Sequence, residues 1–144
     1  MSKTLYIIRG VSGSGKSTLA EAIRRKTKST FRWEADMWME DDNGEYKFDP
    51  NKLSYAHQKC NQEVCRDMER GYETVIVSNT FIKKWEADMY YMLAKLWGYR
   101  VVVHRMNNSY DNVHGVPQSK VDIMRSNMEP YPDEIWIGGN NASN

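Results

Sequence analysis

Three short apolar runs stand out along the chain: Leu5-Tyr6-Ile7-Ile8, Val75-Ile76-Val77 and Val101-Val102-Val103. Each is rich in β-branched residues and lacks polar alternation, the pattern of strands covered on both faces in a parallel sheet. Between them apolar residues recur at helical spacing: Leu19, Ala20 and Ile23; then Leu53, Ala56, Cys60, Val64 and Met68; then Trp85, Met89, Met92, Leu93, Leu96 and Trp97. Asp49-Pro50 supplies a cap and a first helical residue, and Gly71 and Gly98 each follow a helix where a left-handed stop is least strained. Thr30 to Ala35 reads as a fourth strand, and Pro117 opens a last helix with Val121, Met124 and Met128 on one side. Asp41-Asp42-Asn43-Gly44-Glu45 is turn chemistry without the spaced ligands of a calcium loop, so no metal site is expected there. Strands alternating with helices define βαβ units, and hence an α/β three-layer fold whose parallel central sheet has about four or five strands and helices on both faces.

The chain has 144 residues, 40% hydrophobic and 27% charged, a balance that excludes disordered and collagen-like classes and suffices for a core without disulfides. One domain is expected over residues 1–137, followed by a disordered polar tail over 138–144. A formal net charge of +1 provides no domain-wide basic field, so any contact with a polynucleotide must be local. Cys60 and Cys65 lie five apart in a helical segment, on different faces, which makes them two buried thiols rather than a metal pair. No apolar run approaches the ~18 to 20 residues of a membrane span, and the N-terminus has no signal-peptide pattern. A cytoplasmic protein with no membrane partner is the expectation.

The strongest chemical signal is Gly10-Val11-Ser12-Gly13-Ser14-Gly15-Lys16-Ser17, a full G-x-x-x-x-G-K-S between the first strand and a helical pattern. Small residues let successive backbone N–H groups point around phosphate oxygens, and the following helix offers the positive end of its dipole. Ser12, Gly13, Ser14, Gly15, Lys16, Ser17 and Thr18 are the expected nucleotide contacts. Lys16 would reach the β- and γ-phosphates and the Ser17 hydroxyl would hold Mg²⁺, which makes ATP and Mg²⁺ the expected cofactors.

A phosphate loop leaves the fate of the γ-phosphate open. Ligands of open α/β sheets collect at the carboxyl ends of the strands, so the deciding residues belong there. Asp36 closes the second predicted strand on that edge, where a carboxylate can align an incoming hydroxyl and take its proton. Glu34 points to the same side of an extended chain but lies further from the tip, and ranks second. The third strand ends in Ser78-Asn79-Thr80 where a Walker B strand carries a carboxylate, so magnesium has to rely on Ser17, phosphate oxygens, water and Asp36. Asn79 and Thr80 can position a substrate sugar or phosphate, or can merely cap the next helix.

Together these residues resemble the P-loop kinase domain of the polynucleotide 5′-hydroxyl kinase family. Beyond the phosphate loop and Asp36, the resemblance rests on Glu45-Tyr46-Lys47-Phe48-Asp49-Pro50, Ala56-His57-Gln58 with Asn61-Gln62, and Val75-Ile76-Val77 with Asn79-Thr80. It also takes in Trp85-Glu86, Leu93-Ala94-Lys95 with Gly98-Tyr99, and His114-Gly115-Val116-Pro117, and so runs from Leu5 to Met128. It implies a P-loop NTPase/kinase-like fold, with Lys16 and Ser17 holding ATP and magnesium and Asp36 as general base. The chain also departs from the family: Asp111-Asn112 stands where an Arg-Asn pair brings a phosphate-clamping lid arginine, Met39 replaces an arginine three residues after the aspartate, and Phe81 replaces an asparagine. Arg105, Arg125 or Lys120 would have to substitute, and Arg125 on the last helix is favoured as a catalytic group.

Trp33, Trp38, Tyr46 and Trp85 flank the expected cleft. Trp38, in a polar loop, is expected to stack on the ligand, while Trp85, on an apolar helical stripe, is expected in the core. The reading that results is an ATP-dependent phosphotransferase acting on the 5′-hydroxyl end of DNA or RNA. Its alternatives are transfer to a nucleoside, modified base or other small hydroxyl substrate, and a nucleotide-binding module with weak or lost transfer, suggested by Asp111 and Met39.

Overall fold

The computed structural model describes residues 2–27, 29, 31–109 and 115–138. Strand β1 (Thr4–Arg9) runs through the centre because it is apolar on both sides: Leu5 and Ile7 enter one layer, Tyr6 and Ile8 the other. After helix α1 (Lys16–Thr27) and strand β2 (Arg32–Trp33) come helix α2 (Leu53–Glu69), strand β3 (Thr74–Asn79), helix α3 (Lys84–Trp97) and strand β4 (Arg100–Met106). Helix α4 (Gln118–Asn127) and strand β5 (Ile135–Ile137) complete the described elements. Leu5 is in register with Val75 of β3 and Val101 of β4, so the three predicted apolar runs form the middle of one sheet. Its order is β2-β3-β1-β4-β5 with every pair parallel, the five-stranded α/β fold expected.

Helix α1 covers one face through Ala20, against Ile8, Ile76 and Met106. Helices α2 and α3 cover the other, where Ala56, Cys60, Val64 and Met68 bury the predicted α2 stripe. Cys60 is buried and Cys65 half-buried, and both are free thiols. Helix α4 lies at the end of the sheet, where Val121 and Met128 pack on Val11 of the phosphate loop. Among the described residues no helix is long and apolar enough to cross a membrane.

Three expectations need correction. The second strand shrinks from Thr30–Ala35 to Arg32–Trp33, with Thr30 outside the described residues, because a 3₁₀ turn over Ala35–Trp38 takes over. Strand β5 has no counterpart in the expected pattern, since a three-residue edge strand with Ile135 and Trp136 exposed carries no buried pattern to read. Helix α3 turns a different face to the core. Ala87, Tyr90 and Ala94 are buried, with Leu93 and Trp97 partly so, whereas Trp85, Met89, Met92 and Leu96 are exposed. Two alanines let this helix sit close to the strands, and the Tyr90 ring meets Phe81 edge-on at 5.6 Å. Of the expected tail, Gly138 follows β5 and residues 139–144 lie outside the described residues.

The carboxyl edge of the sheet is held by a buried ion pair. Arg9, fully buried at the end of β1, donates through Nη1 to Glu134 Oε1 at 2.9 Å and through Nε and Nη2 to the Phe81 carbonyl at 3.2 and 2.6 Å. Burial pulls the guanidinium below its ordinary pKa, and the Glu134 charge opposes that pull. Glu134 also receives Arg105 Nη1 at 3.4 Å and the Tyr131 amide at 3.2 Å, while the Arg105 guanidinium lies 4.0 Å over the Trp136 ring. Phe81 has a φ of 49°, a strained value for a bulky residue, and its carbonyl is the one that accepts both Arg9 bonds. Removing the carboxylate strands a buried charge, so Glu134→Ala is expected to lower the unfolding free energy by about 3 kcal/mol or more. Glu134→Gln should lose less, because its amide oxygen still accepts from Arg9. Denaturant melts check this, and an unchanged midpoint for Glu134→Ala would refute the role given to the pair.

Candidate functional site

The phosphate loop spans the gap between β1 and α1, and its glycines are there for geometric reasons. A Cβ on Gly10 would stand 2.3 Å from Ser14 Oγ and 3.0 Å from the Met106 carbonyl, and Gly15 has a φ of 100°, a conformation that L side chains rarely adopt. The loop is braced by Gly10 N–H to the Thr80 carbonyl at 3.2 Å and by Ser14 N–H to the Val11 carbonyl at 3.2 Å. Ser14 is buried, with its hydroxyl tucked toward Gly10, so its part is to shape the loop. Ser12, Gly13, Gly15 and Lys16 are half-buried, and Ser17 and Thr18 open to solvent at the start of α1.

Lys16 Nζ donates to the Val11 carbonyl at 3.0 Å. Desolvation lowers its pKa to about 8, while the charges of Glu34 first and Asp36 second act to raise it. Two acids from the β2 side therefore lie within electrostatic reach of the loop lysine. Asp36 is exposed on the 3₁₀ turn just beyond β2, and it also faces Tyr46, whose phenol is pushed up mainly by burial and next by the Asp36 charge.

Glu34, the weaker rival to Asp36 as a base on sequence grounds, is the acid that touches the phosphate loop. Ser17 Oγ donates to Glu34 Oε2 at 3.3 Å, and Arg32 Nη1 donates to that same oxygen. Arg32 Nε continues to Glu21 Oε1 at 3.1 Å, and Glu21 is in turn gripped by Arg24 and Arg25 near the end of α1. Sequence reasoning ranked Glu34 by its distance from the strand tip; that the 3₁₀ turn begins immediately after it is a tertiary fact. A hydroxyl beside a carboxylate is a hard-oxygen donor set of the sort Mg²⁺ takes alongside phosphate oxygens and water. Among the described residues no cluster of three His, Cys, Asp or Glu side chains could hold a metal ion by itself.

Several expected ligand contacts have work inside the protein. Asn79 is buried, its Oδ1 accepting the Ala35 N–H at 2.7 Å and its Nδ2 pointing to Cys60 Sγ at 3.7 Å, so it pins the turn that carries Asp36. Thr80 contributes its carbonyl to Gly10. Trp38 is half-buried and stacks on Trp33, 6.2 Å between centroids and 17° between planes, while Trp33 Nε1 donates to Asp67 at 2.8 Å. The ring expected to meet a ligand thus has one face committed to the core. Met39, where the family places an arginine, is a buried core residue.

Arg125 approaches the loop but spends its donors on backbone and amide oxygens. Nη1 reaches the Asn107 carbonyl and Oδ1 at 3.4 and 3.3 Å, and Nη2 reaches the Asn108 carbonyl at 3.1 Å. Asn108 N–H donates to the Ser14 carbonyl at 3.3 Å, so Arg125 fixes the strand end that supports the phosphate loop. Of the other substitutes considered, Arg105 is bound to Glu134 and Lys120 lies 5.4 Å over the Phe48 ring. Asp111, Asn112 and His114 lie outside the described residues.

A family model described as an AAA domain matches residues 5–114. NEDD4-binding protein 2 of Homo sapiens is 26% identical over 136 residues, which cover 88% of this chain and 8% of that protein. An uncharacterized protein of Pasteurella multocida is 30% identical over 148 residues, covering 94% of this chain and 83% of its own length. The chain thus spans under a tenth of the human relative and most of the bacterial one. A putative kinase from Chloroflexus aurantiacus superposes with a TM-score of 0.68 at 13% identity, over 95% of this chain and 88% of that one. A gluconokinase from Sinorhizobium meliloti gives 0.62 at 17% identity over 93% and 81%, and the Pnkp1/Rnl/Hen1 complex gives 0.60 at 16% over 85% and 38%. These likenesses establish a kinase-like P-loop α/β fold.

The electrostatics of the loop make a direct prediction. Lys16 should titrate at about 8 rather than 10.5, followed by NMR of its side-chain amine. Because both acids raise that value, Glu34→Gln and Asp36→Asn should each move the midpoint further down. A midpoint that neither substitution changes would show that the acids do not face the lysine.

Proposed function

The chain belongs to the AAA-domain family that its residues 5–114 match, and from that premise we propose that it transfers the γ-phosphate of ATP to a hydroxyl group, the 5′-hydroxyl end of DNA or RNA being the acceptor. The observation that carries this reading is the Ser17 hydroxyl against Glu34 at 3.3 Å, with the charges of Glu34 and Asp36 both acting on Lys16. One carboxylate beside the loop serine and a second, exposed one further out suit two separate tasks. Glu34 lies where it could stabilise a cation held by Ser17. Asp36, open to solvent, can take a proton from an incoming alcohol.

In the proposed reaction the loop amides and the dipole of α1 hold the phosphates, and Lys16 exchanges the Val11 carbonyl for phosphate oxygens. Mg²⁺, when bound, neutralises charge on the transferring phosphate. Asp36 accepts the hydroxyl proton as the acceptor oxygen bonds to the γ-phosphorus and the bond to ADP breaks; the products are ADP, a phosphate ester and a proton on the carboxylate. Asn79 acts as a positioning residue, through the Ala35 amide.

The family resemblance along Leu5 to Met128 supports a polynucleotide acceptor, as does the likeness to the Pnkp1/Rnl/Hen1 complex. A second reading, transfer to a small alcohol, is favoured by the net charge of +1 and by the gluconokinase neighbour. Weak or lost transfer would follow from the absence of a matching lid arginine.

The deciding experiment gives γ-labelled ATP and Mg²⁺ to 5′-hydroxyl DNA, 5′-hydroxyl RNA, a nucleoside panel and a sugar panel. Lys16→Ala and Asp36→Asn are each expected to reduce transfer by about 10² or more, and Asn79→Ala to lower kcat with nucleotide affinity retained. Label appearing only on small alcohols establishes the second reading. Asp36→Asn transferring as fast as wild type removes the base from the proposal.

A further inference from the structure

Helix α3 carries four large apolar side chains left uncovered by the rest of the described protein: Trp85, Met89, Met92 and Leu96, respectively 62, 48, 70 and 72% exposed. Their spacings of four, three and four residues set them in one row along the helix, opposite the buried Ala87 and Ala94. Singly scattered apolar residues on a surface need no partner, but a contiguous row marks an interaction site.

The charges beside the row indicate what covers it. Asp88 and Lys95 lie on one flank, two helical turns apart, the acid toward the start of the helix and the base toward its end. Asp88 is held by the Tyr131 hydroxyl at 2.8 Å and by Lys84 at 3.0 Å, and Lys95 rests 5.3 Å from the centre of the Tyr91 ring. If two copies of α3 pack antiparallel about a two-fold axis passing between residues 90 and 91, Met89 stands opposite Met92 and Trp85 opposite Leu96. The shared flank then brings Asp88 of each copy alongside Lys95 of the other. Parallel packing would instead set Asp88 against Glu86 of the other copy, acid on acid. A self-complementary patch of this kind is what an isologous interface requires.

We propose that the Trp85-Met89-Met92-Leu96 row is the interface of a homodimer, formed by antiparallel packing of α3 against its own copy and keyed by reciprocal Asp88–Lys95 pairs. Helix α3 starts at the phosphate-loop edge of the sheet and runs away from it, so the antiparallel arrangement leaves the two loops at opposite ends, both open.

Sedimentation velocity over a concentration series tests the proposal on the wild-type chain, with melting curves to verify that each variant folds. The wild type should associate to a dimer in the micromolar range, and Met92→Glu or Leu96→Glu should raise the dissociation constant at least about tenfold. Lys95→Asp should weaken the dimer, and adding Asp88→Lys to it should restore association. Nucleotide binding should be unchanged in Met92→Glu, which separates this interface from the site. A wild-type chain that stays monomeric to about 0.5 mM, or a Met92→Glu variant that dimerises like the wild type, overturns the proposal. So does a charge reversal that weakens the dimer further, because the pairs would then not be reciprocal.

Discussion

A guanidinium kept charged in the interior governs the whole carboxyl edge of this sheet. Arg9 is the last residue of the central strand and the residue immediately before the phosphate loop, so its position sets where the loop departs. Withdrawing that charge from water is costly, and the cost is offset only while its donors are occupied. Phe81 and Glu134 occupy them, one from the β3–α3 connection and the other from the segment before β5. Three pieces of chain far apart in sequence are thereby fastened to one side chain, and the loop inherits a rigid base.

From that base the candidate site is assembled by backbone capture more than by side chains reaching for a ligand. The Thr80 carbonyl receives Gly10, Asn79 receives Ala35, and the Asn108 amide donates to Ser14. Where related P-loop proteins end the third strand in a carboxylate, this chain has a carboxamide, which can both accept and donate but carries no charge. The negative charge near Lys16 comes instead from Glu34 and Asp36, on the opposite side of Asn79 from the loop's own strand. Two acids two residues apart would point the same way in an extended strand. The 3₁₀ turn separates them, one toward Ser17 and the other into solvent.

Helix α3 illustrates how apolar content and burial part company. A helix against a sheet presents only about a third of its circumference to the strands. Ala87, Tyr90 and Ala94 fill that share, with Leu93 and Trp97 at its edge, so Trp85, Met89, Met92 and Leu96 are left for another surface. Trp38 parts from its pattern the other way: it is polar in its sequence surroundings yet is drawn onto Trp33 by the area two indoles can share.

The central strands, the phosphate loop and the stripe of α2 were legible in the sequence because each depends on local pattern: continuous apolar runs, a fixed glycine and lysine spacing, a 3.6-residue period. Lys16, Ser17 and the place of Asp36 on the carboxyl edge followed from the same patterns and from the parallel topology they impose. The roles of Arg9, Glu134, Asn79 and Glu34 were not legible, since each is decided by partners 17 to 125 positions away and a polar residue in a sequence does not announce its partner. The outward face of α3 and the two-residue β2 belong with them. Amphipathic period says that a helix has a buried side, but when both sides are apolar only the closeness of packing against the sheet chooses between them.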